Sequence, residues 1–162
     1  YKAQDMECYE GATMIKTFRG LMADDVQDTI VLHTNDGSLG YRIVKFQIIG
    51  TNPAISGQES TVKIYKISQT SIDGVIDFSD NTLLGAAFWS GHDVTPSYPE
   101  DMTVIFDQEI FNQDIYVTHH EENAAVACNY YIELEQIKLD LSENTVATLK
   151  DIRNKGVRTL TT

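Results

Sequence analysis

Short runs rich in Val, Ile, Tyr, Phe and Thr, each cut off by Gly, Asn, Asp, Ser or Pro, govern what this chain can fold into. β-branched and aromatic side chains fit a pleated, half-buried surface, and the punctuating residues are those that turns demand. At least seven such runs are present: Met14–Arg19, Thr29–Thr34, Tyr41–Ile49, Thr61–Ile67, Leu83–Trp89, Met102–Phe106 with Asp114–Thr118, and Asn129–Leu139. The fold class this predicts is mainly β, an antiparallel β-sandwich or jelly roll.

Within the pattern, Asp36-Gly37 flanked by Thr29–Thr34 and Tyr41–Phe46 predicts a β-hairpin, its glycine taking the positive φ of the turn. In the second arm Val44, Phe46 and Ile48 share a face, which is expected to be core. In Asn129–Leu139, Tyr130, Ile132 and Leu134 share one side and Ile137, Leu139 and Leu141 the other, so a β-bulge is expected around Glu135-Gln136. A continuous helix is the competing reading, and period 2 with one slip fits better.

One short C-terminal helix is expected, with Ser142 as N-cap, Val146, Leu149 and Ile152 at spacing three, and Gly156 as the stop. Pro53, Pro96 and Pro99 fall in the loops 51–60 and 91–101, which read as surface connections rather than domain linkers. The organisation is therefore one domain over 14–156. Residues 1–13 are expected to be an arm or leader, with Met14 as a natural start, and 157–162 a tail.

The chain's 162 residues can bury roughly 70% of the unfolded surface, enough for a single core. Its 24 acidic and 12 basic residues give a formal charge of −12, a field that repels phosphate backbones and anionic membranes. Neither nucleic acid nor membrane is an expected partner. No apolar run approaches the length of a membrane span, and the first residues lack the pattern of a signal peptide. The two cysteines, Cys8 and Cys128, form no zinc spacing; Cys128, between Val126 and Tyr130-Tyr131, reads as a buried thiol, with a Cys8–Cys128 bridge as the alternative.

Candidate sites are few. His119-His120-Glu121-Glu122 offers imidazole and carboxylate ligands, with His119, His120 and Glu121 as the candidate metal set, although neighbouring strand residues point to opposite sides. A solvated hairpin tip is the default reading, and the metal site the alternative. Asp73, Asp77, Asp80 and Asn81 are spaced as in a calcium loop but lack the EF-hand order, so Asp77 and Asp80 are expected to make local turns. No cofactor is expected beyond a divalent cation at one of these places.

The aromatics Phe88, Trp89, Tyr98, Tyr116, Tyr130 and Tyr131 suit a carbohydrate platform, and Trp89, Tyr98 and Tyr116 are its candidate ligand-binding residues; core packing competes for Phe88-Trp89. No G-x-S-x-G elbow occurs, and Ser90, His92 and Asp93 are too close in sequence for a triad. Glu133 and Glu135 could mimic a glycosidase pair at about 6.6 Å by strand rise. The expectation is a protein that is not an enzyme, with a hydrolase as the remote alternative.

The stretches Lys16–Gly20, Thr29–Gly37, Gly40–Ile43, Phe111–Tyr116 and Cys128–Glu135 resemble small proteins encoded in marine bacteriophage genomes and marine metagenomes, over Met14 to about Gly156. That family carries no catalytic motif, so the resemblance transfers no functional residue. It implies a virion component, capsid-associated, decorating or tail-associated, self-associating or bound to other virion proteins. Its expected location is the virion and otherwise the bacterial host's cytoplasm. A carbohydrate- or receptor-binding module is the alternative function.

Overall fold

A computed structural model describes residues 13–91, 100–106, 108–140, 142, 145, 148 and 149. Eight strands follow one another: β1 (Met14–Met22), β2 (Val26–Ile30), β3 (Leu39–Gly50), β4 (Glu59–Tyr65), β5 (Leu83–Ser90), β6 (Glu100–Ile105), β7 (Ile115–Glu121) and β8 (Cys128–Lys138). They form a three-stranded antiparallel sheet, β1-β8-β3, and a five-stranded one, β2-β7-β4-β5-β6.

Alternation builds the core. Cys128, Tyr130, Ile132 and Leu134 of β8, with Ile43, Phe46 and Ile48 of β3, face Val62 and Ile64 of β4 and Ile115 and Val117 of β7. Each large aliphatic so buried stabilises by roughly 1.5–3 kcal/mol. One shared core between two sheets is a β-sandwich.

The pairing is that of a rolled antiparallel ribbon: β1 with β8, β2 with β7, and β4 with β5. This is the jelly-roll order with one departure. The third strand of such a roll would pair with the sixth; here β6 pairs with β5 and faces β3 across the sandwich.

Three local expectations need correction. The Asp36-Gly37 turn exists, with Gly37 at φ 64° and its N–H donating to Thr34 O at 3.3 Å. Its arms do not form a hairpin, because β2 pairs with β7 and β3 with β8, in different sheets. Where the chain crosses between sheets, the Asp114 carboxylate accepts the backbone N–H groups of Leu32 (2.8 Å) and His33 (3.0 Å) in place of a hairpin partner.

Secondly, the bulge sits in β3 rather than β8: register shifts between Ile43 and Lys45, whereas β8 pairs β1 without a break from Met14↔Gln136 to Met22↔Cys128. Thirdly, Val44 is the extra residue and is exposed, so Ile43, not Val44, shares the core face with Phe46 and Ile48. The inward positions of β3 are out of phase by one residue, and the bulge absorbs that residue.

Of the expected C-terminal helix, Ser142, Thr145, Thr148 and Leu149 are helical, and its other positions lie outside the described residues. Asn112 Nδ2 donates to Thr148 Oγ1 at 3.0 Å and ties this segment to the sandwich. Residues 1–12, with Cys8, also lie outside the described residues; Cys128 is a buried free thiol, pushed up to about 11 by burial.

The connection 66–82 lies across the outer face of the five-stranded sheet. Lys63, on that face and almost wholly buried, donates from Nζ to Asp73 Oδ1 (2.9 Å) and Val75 O (2.6 Å). Asp73, Asp77 and Asp80 each accept from a backbone N–H two residues on, and Ser79 and Thr82 add their hydroxyls. These are Asx turns, as expected for Asp77 and Asp80, and they shape a cover for the sheet.

Candidate functional site

β7 runs through Glu121, so His119, His120 and Glu121 belong to a central strand rather than a hairpin tip. Alternation then separates the three. His119 points inward, where Nδ1–H donates to Ala23 O (3.0 Å) and Nε2 meets the Ser60 hydroxyl (3.0 Å). Both ring nitrogens are engaged, and the side chain is fully buried. Glu121 also points inward, and its carboxylate accepts backbone N–H groups of Glu59 (2.8 Å), Asn123 (3.1 Å) and Ala125. Burial pushes this carboxyl up, and those backbone donors outweigh it and leave it low. His119 and Glu121 are therefore structural, and the expected His119–His120–Glu121 set does not converge on one ion.

His120 points outward into a different group. Its Nδ1 lies 2.6 Å from Asp25 Oδ1 and 3.8 Å from Asp24 Oδ1, and its Nε2 lies 3.0 Å from Glu122 Oε2. With carboxylates at both nitrogens, a doubly protonated ring donates in both directions. The hydrogen bond to Asp25 raises the imidazole pKa, burial opposes it, and Glu122 raises it further. Ligand atoms of Asp24, Asp25 and His120 lie within 4.8 Å of one another, a donor set that suits a small divalent cation as well as a proton.

The β1–β2 turn sets this geometry. Asp24 accepts the Glu121 backbone N–H at 2.8 Å, and Asp25 adopts a positive φ of 55°. Sequence reasoning missed Asp24 and Asp25. Their approach to His120 follows from β2 lying beside β7, with Val26 opposite His119, and adjacency of acids in a turn carries no such signal.

Beside His120 a cleft of about 530 Å³ opens between residues 73–75 and the sheet. Phe88 and Val75 give it apolar surface, and Thr61, Asp73 and Glu122 give it polar groups. Trp89 lines the cleft too, but its indole packs toward Gly50, where an added Cβ would come within 2.5 Å of Nε1. Tyr116 is on the same sheet at the far end: it pairs with Tyr65, whereas Trp89 pairs with Ser60. Five residues of strand separate those rows, about 17 Å. Trp89 and Tyr116 thus do not share a platform, and Tyr98 lies outside the described residues.

Glu133 and Glu135 lie on the outer face of the three-stranded sheet. Arg42 pairs with Glu135, Lys45 Nζ lies 3.9 Å from Glu133, and the Tyr131 hydroxyl donates to Glu133 at 2.8 Å. Register arranges this face in rows across β1, β8 and β3: Leu21–Asn129–Ile49, Arg19–Tyr131–Gln47, Thr17–Glu133–Lys45 and Ile15–Glu135–Arg42. A shallow concavity of about 720 Å³ follows the first rows, with Lys45 Nζ 5.6 Å from the Tyr131 ring centre. Sequence reasoning named Tyr131 and the two glutamates without placing them on one open face.

No helix among the described residues is long and apolar enough to cross a membrane. No family model matches this sequence, and comparison with curated proteins finds none similar to it.

Proposed function

We propose that this chain is a non-catalytic structural module of a bacteriophage virion, capsid-associated, decorating or tail-associated, that works by contact with copies of itself or with other virion proteins. The observation that carries the reading is the jelly-roll strand order, first strand with last and second with second-to-last, an architecture used by viral capsid proteins. Lectins use it as well, so fold alone does not decide. The resemblance of Thr29–Gly37 and Cys128–Glu135 to marine phage proteins favours the particle. The engaged states of His119, Glu121, Glu133 and Glu135 favour binding over catalysis. Mass spectrometry of purified particles should find the chain in many copies per virion. Its absence from every particle fraction overturns the reading.

A carbohydrate- or receptor-binding module is the second reading, favoured by the cleft in which Phe88 lies beside Thr61, Asp73, His120 and Glu122. Its anionic rim suits a neutral polyol rather than a sialylated or sulfated one. A glycan array probed with the parent and with Phe88→Ala is the test. Binding lost in a folded variant supports this reading, and no binding by the parent removes it.

A further inference from the structure

We propose that the outer face of the three-stranded sheet is where two copies of this chain meet. The inference deepens the virion reading and rests on it for the array in which a small contact is repeated. Three large apolar side chains stand out from the face, Leu21 (57% exposed) and Ile49 (59%) in the row beside the half-buried ring of Tyr131, and Ile15 (46%) at the far end. β-sheet faces that remain in water normally alternate to polar residues, and here the end row Leu21–Asn129–Ile49 is mostly apolar.

Charge selects the occupant. The chain carries −12 overall, so two copies repel on approach through an average patch of surface. The four rows differ: they hold three of the 12 basic residues, Arg19, Arg42 and Lys45, and two of the 24 acidic ones, Glu133 and Glu135. A nearly neutral, slightly cationic face with both signs interspersed lets like meet like. A two-fold axis running across the strands reverses the row order. It lays Leu21 of one copy over Ile15 of the other and the Tyr131–Glu133 pair of one copy over that of the other. That isologous arrangement closes at two.

Size sets the strength. With strands about 4.8 Å apart and about 3.4 Å of rise per residue, the four rows cover roughly 400 Å² a side. Stable pairs bury about 1,200 Å² or more in total, so this contact is weak between free chains and gains from repetition on a particle.

Sedimentation equilibrium up to millimolar concentration, with the full chain at low and high salt, tests the proposal. The parent should dimerise weakly, and more at high salt as net repulsion is screened. Leu21→Asp, which places a carboxylate over Ile15 of the other copy, should weaken dimerisation about tenfold or more. Val31→Asp, at a side chain 66% exposed and off the face, should not. A parent monomeric throughout, or equal loss in the Val31 variant, overturns the proposal, as does glycan binding abolished by Tyr131→Ala. The two readings fail separately. Dimerisation through this face by a chain absent from particles sinks the virion reading alone; in particles, a Leu21→Cys thiol that labels freely above the parent's background sinks the face alone.

Discussion

His120 stands between acids on both sides, with Asp25 at Nδ1 and Glu122 at Nε2, and this gives it a pH signature. Its folded pKa is raised above the ordinary 6.5. The stabilisation it supplies is therefore complete below about 6.5 and fades as pH rises through the raised folded value. His120→Ala should cost about 1 kcal/mol in mildly acidic buffer and progressively less in alkaline buffer. Chemical denaturation of both proteins across that range checks the sign. A penalty that grows with pH would mean that the ring is not held as a cation. None of this was visible in the string His119-His120-Glu121-Glu122, which offered two imidazoles of equal standing. Strand alternation separates them, with His119 closed into the core and His120 turned to the β1–β2 turn. The general rule of alternation was available from the sequence. Which side was core was not, because β7 lies between two neighbours and carries buried residues on both faces.

At the scale of elements, β3 and β8 show what a pattern of apolar residues can and cannot specify. Seven of the eight strands lie close to the runs of β-branched and aromatic residues, because local propensity and burial agree there, whereas β2 (Val26–Ile30) shares only Thr29 and Ile30 with the expected run Thr29–Thr34. Pairing is another matter: Asp36-Gly37 supplies the same turn chemistry at a hairpin and at a corner between sheets. The partners that distinguish the two, β7 for β2 and β8 for β3, come from more than 70 residues away, as does Asp114, which accepts from Leu32 and His33 at the crossing. The bulge was misplaced for a related reason. A slip of phase can be absorbed by either of two paired strands, and the sequence of one strand does not say which. A deletion series tests the assignment. Removing Val44 leaves Ile43, Phe46 and Ile48 on one face in a regular strand, so the protein should fold with a loss of about 1 kcal/mol or less, within the range of ordinary surface changes. Removing Gln47 instead turns Ile48 outward and should unfold the domain, since a one-residue slip reverses every side chain beyond it. Circular dichroism with thermal melts distinguishes the two, and equal behaviour of the deletions would return the bulge to β8.

For the whole molecule, the charge of −12 on a chain of 162 residues sets a measurable expectation. Like charges oppose compaction, so raising ionic strength from tens of millimolar to about 1 M, where the Debye length is about 3 Å, should raise the melting temperature by about 2–4 °C, equivalent to roughly 1 kcal/mol. Calorimetry over a sodium chloride series checks this, and a falling melting temperature would show that the ion pairs Lys63–Asp73 and Lys66–Glu109 outweigh the net field. The connection 66–82 also has a consequence at this scale. It lies over the five-stranded sheet, whereas no described segment lies over the outer face of the three-stranded sheet, so the two sides of the molecule are unlike. If the proposed pair forms, like side meets like side, and the connection 66–82 faces outward at both ends. Stacking through the three-stranded sheet alone would therefore stop at two, and any larger assembly would have to use a different surface: the covered side with its exposed Val75 and Phe78, the strand edges or other proteins.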